Sequence, residues 1–154
     1  MLRVSLILLR LIFDFVGLQE TMKQDFNECF LRKFDPDMSF FWKWVPSCGK
    51  SSGILCGVRQ ETLEVSAVKT GKYLLQFNLW DKKKKCRWTL ITVYGSAHEE
   101  QKEDFLAELS AWCNGITEPY IVGGDFNILR HCGEKTSILL YLNPLTFLIR
   151  LFIF

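Results

Sequence analysis

Three short clusters in this sequence carry groups suited to phosphate chemistry: Gln19-Glu20-Thr21, Tyr94-Gly95-Ser96 and Gly124-Asp125-Phe126-Asn127. Glu20 offers a hard carboxylate oxygen of the kind Mg²⁺ takes, since that ion binds through one or two carboxylates and keeps several waters. Asp125 can orient or deprotonate a water. Asn127 presents amide donors and an acceptor to a phosphate or an attacking water, and Tyr94 presents a phenol to a phosphate oxygen. In combination these groups fit metal-assisted attack on a phosphodiester, where a cation offsets charge on the oxygens around phosphorus. Each cluster alone has a plainer reading. Gln-Glu-Thr after a strand commonly leads into a helix, and a tyrosine at a strand end usually packs. Gly-Gly-Asp-Phe-Asn can be a tight turn with an Asx hydrogen bond, although paired glycines also let a backbone approach a ligand closely. The informative feature is that all three clusters follow apolar segments, in order.

Those segments must position the clusters. Asp14 to Leu18 reads as a buried strand that delivers Gln19 and Glu20 to an edge. Met22 to Lys33 reads as a helix with Phe26, Phe30 and Leu31 among charges. It ends at Asp35, because a residue before proline is pushed out of the helical region. Phe40 to Val45, Gly53 to Arg59, Glu64 to Val68, Tyr73 to Trp80 and Trp88 to Tyr94 read as strands, with Leu75, Phe77 and Leu79 on one side. Ser47 to Gly53 is a loop and Asp81 to Lys85 a turn. Ser96-Ala97-His98-Glu99 matches a capping box, opening a helix that carries Phe105, Leu109 and Trp112 on one face and closes at Asn114-Gly115. Tyr120 to Val122 is a short strand with Gly-Gly-Asp-Phe-Asn at its end. The order strand, helix, strand indicates an α/β fold, in which ligands prefer strand ends.

Composition bounds these readings. A chain of 154 residues suits one domain, and 49% hydrophobic residues with 14% aromatics exclude global disorder. The net charge of +2 does not by itself imply nucleic acid. The strong basic run is Lys82, Lys83, Lys84 and Lys85, joined by Arg87. Lysines at a hairpin tip are ordinarily solvated and hostile to edge pairing. The six cysteines form no C-x-x-C pair, which argues against zinc and for buried free thiols in a reducing compartment. Residues 1–13 begin like a signal peptide, but Arg10 interrupts the apolar run and no cleavage site follows. Residues 138–154 are apolar, yet include Asn143, Pro144 and Arg150. A charge at membrane depth costs roughly 2.5–3.5 kcal/mol. A tail foreign to the domain is therefore expected, with a membrane anchor as the alternative.

Four blocks, DFVGLQET (Asp14 to Thr21), GILCGVR (Gly53 to Arg59), VYGS (Val93 to Ser96) and YIVGGDFN (Tyr120 to Asn127), resemble the signature blocks of the endonuclease/exonuclease/phosphatase superfamily. Within it, the chain most resembles the endonuclease domain of plant non-LTR (LINE-type) retrotransposons, itself similar to abasic-site endonucleases. The likeness covers Asp14 to Lys135, continuing through ILRHCGEK. It implies a four-layer α/β sandwich, two mixed β-sheets packed face to face with flanking helices. It implies that Glu20 is the metal ligand for Mg²⁺ or Mn²⁺, Tyr94 contacts the scissile phosphate, Asp125 activates the water and Asn127 positions substrate. DNA is the implied partner, with Lys82 to Lys85 and Arg87 available to its backbone, and a nuclear location follows from a retroelement origin.

The departures from the family pattern are specific. Its first block carries an Asn-bearing turn of the kind W-N-x-R-G-L, and residues 1–13 contain no asparagine. Its closing Ser-Asp-His block is absent. After Asn127 the chain has only His131, which reads as a surface histidine, and His98 lies within the capping box. General acid–base catalysis typically contributes about 10²–10⁴-fold, so these losses imply little turnover. The expected organisation is an atypical segment at 1–13, a partial endonuclease/exonuclease/phosphatase domain at 14–135 and an apolar tail at 136–154. Such a chain is a truncated, catalytically impaired retroelement endonuclease; the alternatives are a dead nucleic-acid-binding remnant and a membrane-associated fragment.

Overall fold

Alternating apolar residues build two sheets that face each other. In the computed structural model, residues 13–47 and 53–128 are described, Glu20 by its backbone alone. Strands β1 (Phe15–Thr21), β2 (Phe40–Val45) and β3 (Gly53–Arg59) form one antiparallel sheet in the order β1-β3-β2. Strands β4 (Leu63–Thr70), β5 (Leu74–Asp81), β6 (Cys86–Tyr94) and β7 (Tyr120–Asp125) form the other, in the order β4-β5-β6-β7. The first three of these pair antiparallel through hairpins, whereas β7 lies parallel to β6. A parallel neighbour requires a crossover. A 3₁₀ turn (Glu99–Gln101) and helix α2 (Lys102–Asn114) supply it.

The period of two along each strand divides the apolar residues into layers. Between the sheets lie Phe15, Ile54, Cys56, Val58, Phe77, Leu79 and Leu90. The far face of the second sheet packs Leu74, Ile91, Val93 and Val122 against Phe105 and Trp112 of α2. The far face of the first packs Phe40, Trp42 and Leu55 against Leu31 of the short helix α1 (Glu28–Leu31) and against Phe26 just before it. Helix, sheet, sheet and helix make the expected partial four-layer α/β sandwich, in which the second sheet is mixed and the first, among the described residues, is antiparallel rather than mixed.

Three local expectations need correction. The helix foreseen over Met22 to Lys33 contracts to the four residues of α1. Residues 22–25 are all exposed, Met22 to 81%, so no side chain there is buried against the sheet to stabilise a helical turn. The helix instead starts where Asn27 caps it, its side chain accepting from the Phe30 amide at 2.9 Å. The capping box also fails to form. Ser96 is buried; its hydroxyl accepts from the His98 amide at 3.1 Å and bonds the Gln101 side chain at 3.0 Å. Helix α2 begins six residues after Ser96, at Lys102. Finally, strands β1 and β7 run further than foreseen, so Gln19, Glu20 and Asp125 lie within strands rather than just beyond their ends. Glu20 lies within an irregularity of the β1–β3 register, between Leu18 and Thr21.

Candidate active site at the strand ends

The C-terminal ends of β1, β6 and β7 meet at one end of the sandwich. Tyr94 and Asp125 are register partners on parallel strands, so both face the same side of their sheet. Tyr94 is half-buried and packs on the core between the sheets. Asp125 therefore ends β7 on the side from which β1 approaches.

Gln19 joins the two sheets there. Its Nε2 donates to the Val93 carbonyl at 2.6 Å, and its Oε1 accepts from the Asp125 amide at 3.1 Å. A regular parallel ladder would join those same two backbone groups directly. The Thr89 amide donates to the Pro119 carbonyl at 2.9 Å, and the pattern continues through Ile91 and Val93 along the register. The carboxamide of Gln19 thus bonds, from the opposing sheet, the same two groups at which β6 and β7 meet, and the register of those strands runs unbroken to Tyr94 and Asp125. Gly124 makes room for the carboxamide. Its φ is +142°, and a Cβ there would overlap both the Val93 carbonyl oxygen and Gln19 Nε2. This is the close backbone approach for which paired glycines are suited.

Beyond β7 the chain turns back on itself. The Asn127 amide donates to Asp125 Oδ1 at 2.9 Å, an Asx-type bond. Asn127 has φ +49°, a left-handed conformation that asparagine tolerates better than most residues. Its Nδ2 donates to the Gly95 carbonyl at 2.7 Å, while the Gly95 amide donates to the Asp125 carbonyl at 2.7 Å. Gly95 leaves no space for a side chain, because a Cβ would overlap the Phe126 carbonyl. Asp125, Asn127 and Gly95 form a closed ring of bonds beside Tyr94. The turn reading of Gly-Gly-Asp-Phe-Asn is correct as geometry, and that turn is what presents the Asp125 carboxylate.

Glu20 follows Gln19 on β1 and so lies at the same end of the fold. Among the described residues, no three His, Cys, Asp or Glu side chains converge on a common point. Mg²⁺ needs only one or two protein carboxylates. Asp125 Oδ2 makes no hydrogen bond among the described residues, so one hard oxygen stays available, and the donor chemistry of the rim fits such an ion.

The basic residues lie elsewhere. Lys82 to Lys85 occupy the turn between β5 and β6, held by Asp81 Oδ1, which accepts from the Lys83 and Lys84 amides at 2.9 and 2.8 Å. Strand β6 then runs nine residues to Tyr94, about 26 Å at the usual rise of ~3.3 Å per residue. Arg87 lines an open groove of about 480 Å³ on the outer face of the second sheet, with Glu64, Asn78, Trp80 and Glu118. The structure therefore brings together Tyr94, Asp125, Asn127 and the Glu20 backbone, and places the lysine turn at the opposite end. His98 is exposed before the 3₁₀ turn; His131 falls outside the described residues. The residue whose role the sequence did not disclose is Gln19. One signal was present: Phe15, Gly17 and Gln19 share one face of β1 by the period of two.

A sequence model of the Endonuclease/Exonuclease/phosphatase family matches residues 1–142. No curated protein sequence matches the chain. Among solved structures, the human Nocturnin catalytic domain with bound sulfate is similar with a TM-score of 0.58 at 15% identity, covering 75% of this chain and 52% of that one. D. rerio TDP2 complexed with single-strand DNA product has a TM-score of 0.52 at 15% identity, covering 75% and 48%. ANGEL2, a 2′,3′-cyclic phosphatase, in complex with adenosine-2′,3′-vanadate, has a TM-score of 0.56 at 14% identity, covering 76% and 40%. At these identities the likeness is one of fold. The chain spans about half the length of these structures or less.

Proposed function

Since the chain belongs to the endonuclease/exonuclease/phosphatase family, we propose that its strand-end rim handles a DNA phosphodiester with the help of a divalent cation, in the manner of a retroelement endonuclease. One observation carries this reading. Asp125 and Asn127 are locked in a hydrogen-bonded ring beside Tyr94, at the end of β7 that Gln19 ties to the strand bearing Glu20. The DNA product held by D. rerio TDP2 supports nucleic acid as the substrate class, and the LQET and GGDFN blocks support the retroelement kind of domain.

In this reading Glu20 would hold Mg²⁺ or Mn²⁺, and the bound ion would supply charge stabilisation at phosphorus. Asp125 orients the attacking water and takes up its proton. Asn127 and Tyr94 hold phosphate oxygens. The sequence contains no Ser-Asp-His block, and no histidine of the described rim can act as acid or base. With no histidine at the described rim, this reading expects slow turnover from these residues, short of the roughly 10²–10⁴-fold that general acid–base catalysis typically contributes. The test is nicking of supercoiled plasmid with Mg²⁺ over long incubation. Wild-type protein should nick slowly, and both Asp125→Ala and Mg²⁺ removal should abolish it. Equal nicking by wild type and Asp125→Ala would sink the enzymatic reading.

A further inference from the structure

The geometry points to Gln19 as the positioning residue of this rim: its carboxamide, bonded to both β6 and β7 from the opposing sheet, sets where Asp125 and Asn127 stand relative to β1. Three observations carry this. First, both ends of one planar amide are used, Nε2 on the Val93 carbonyl and Oε1 on the Asp125 amide. A backbone rung would hold β7 against β6 alone, whereas Gln19 also fixes it to the opposing sheet. Second, the seat is shaped for that group. Gly124 adopts φ +142°, and any Cβ there would displace the carboxamide nitrogen. Third, the constraint is passed onward. The Asp125 carbonyl accepts from the Gly95 amide, the Asn127 amide bonds Asp125 Oδ1, and Asn127 Nδ2 returns to the Gly95 carbonyl. A shift of the Asp125 peptide therefore moves both polar side chains of the turn.

The chemistry of the position is restrictive. Methionine matches glutamine in length and volume but makes neither bond. Asparagine keeps the amide and falls one methylene short. Removing the Gln19 bonds to the Val93 carbonyl and the Asp125 amide should loosen the ring, while the packed layers of both sheets remain intact.

The experiment is ¹⁵N NMR with hydrogen exchange on the full chain, comparing wild type with Gln19→Met and Gln19→Asn. In wild type, the Gln19 side-chain amide protons should be slowly exchanging and individually resolved. In both variants, protection of the Asp125 and Gly95 amides should fall on the order of tenfold or more, and the Asn127 side-chain amide should lose its shifted position. The amides of Cys56 and Phe77, at the centres of the two sheets, should keep wild-type protection. Unchanged Asp125 protection would overturn the inference. So would an equal loss at Cys56 and Phe77, which would make Gln19 a general structural residue. A second arm rests on the phosphodiester reading: Gln19→Met should lower kcat for nicking about tenfold with KM unchanged, and a rise in KM alone would count against positioning. The NMR arm needs neither metal nor DNA. Absence of wild-type nicking thus sinks the phosphodiester reading, while the NMR result still decides the role of Gln19.

Discussion

At the scale of single residues, the rim depends on two backbone conformations that ordinary side chains avoid. Gly124 at φ +142° lies against the Val93 carbonyl and the Gln19 amide, and Asn127 at φ +49° turns its side chain back to Gly95. Gly124→Ala combines a strained φ with direct overlap, so it should destabilise the protein by about 3 kcal/mol or more. Urea unfolding measures this; a loss below about 1 kcal/mol would mean that β7 can shift away from Val93 at little cost. By contrast, Gly115 has an ordinary φ of −88° where the chain leaves α2, and it needs no left-handed freedom.

At the scale of elements, Asp35 ties α1 to β2. It is buried, and its carboxylate accepts from the Ser39 amide and hydroxyl, the Phe40 amide and Trp42 Nε1, all between 2.8 and 3.1 Å. Burial raises the pKa of this group, but the combined bonds from Phe40, Ser39 and Trp42 outweigh it and hold the carboxyl below its usual value. A depressed folded pKa gives stability that is present above the unfolded value, near 3.9, and is lost as pH falls through the folded one. Asp35→Asn puts a donor where only donors converge. It should cost about 2–3 kcal/mol at neutral pH, with the wild-type and variant stabilities drawing together in acid. Thermal unfolding at pH 7 and in acid tests this, and a gap that stays constant with pH would refute it. Burial likewise pushes the Cys56 thiol up to about 12, against a weaker lowering from the Thr92 hydroxyl, as suits an inert core thiol.

At the scale of the whole molecule, the fold separates two kinds of charge. The rim holds carboxylate and carboxamide groups, and the lysine turn lies about 26 Å away at the far end of β6 by strand rise. A duplex touching both would have to run along the sandwich. If Lys82 to Lys85 do meet a nucleic-acid backbone, replacing all four with Ser should lower the log–log salt slope of DNA affinity by up to about 3–4. Fluorescence anisotropy from 50 to 200 mM salt reads that slope; an unchanged slope would identify the turn as a solvated hairpin tip. No helix among the described residues is long and apolar enough to cross a membrane, and the stretch 138–154 lies outside them.

The sequence by itself determined the α/β class and where the polar clusters fall relative to the strands. Both depend on local patterns: Leu75, Phe77 and Leu79 alternate, and polar clusters interrupt apolar runs where strands stop. It misjudged Met22 to Lys33 and the start of α2, because a helix end depends on what a side chain meets in three dimensions. Ser96 fits a capping box by spacing, yet its buried hydroxyl serves His98 and Gln101. The largest difference is at Gln19. Nothing within the LQET block indicates that its carboxamide bonds both strands at the β6–β7 junction, since its partners Val93 and Asp125 are 74 and 106 residues away. Only the packing of two sheets, with Gly124 leaving room between them, makes that glutamine a bridge. Periodicity along a strand reports which side a residue faces, and the tertiary structure decides what it finds there.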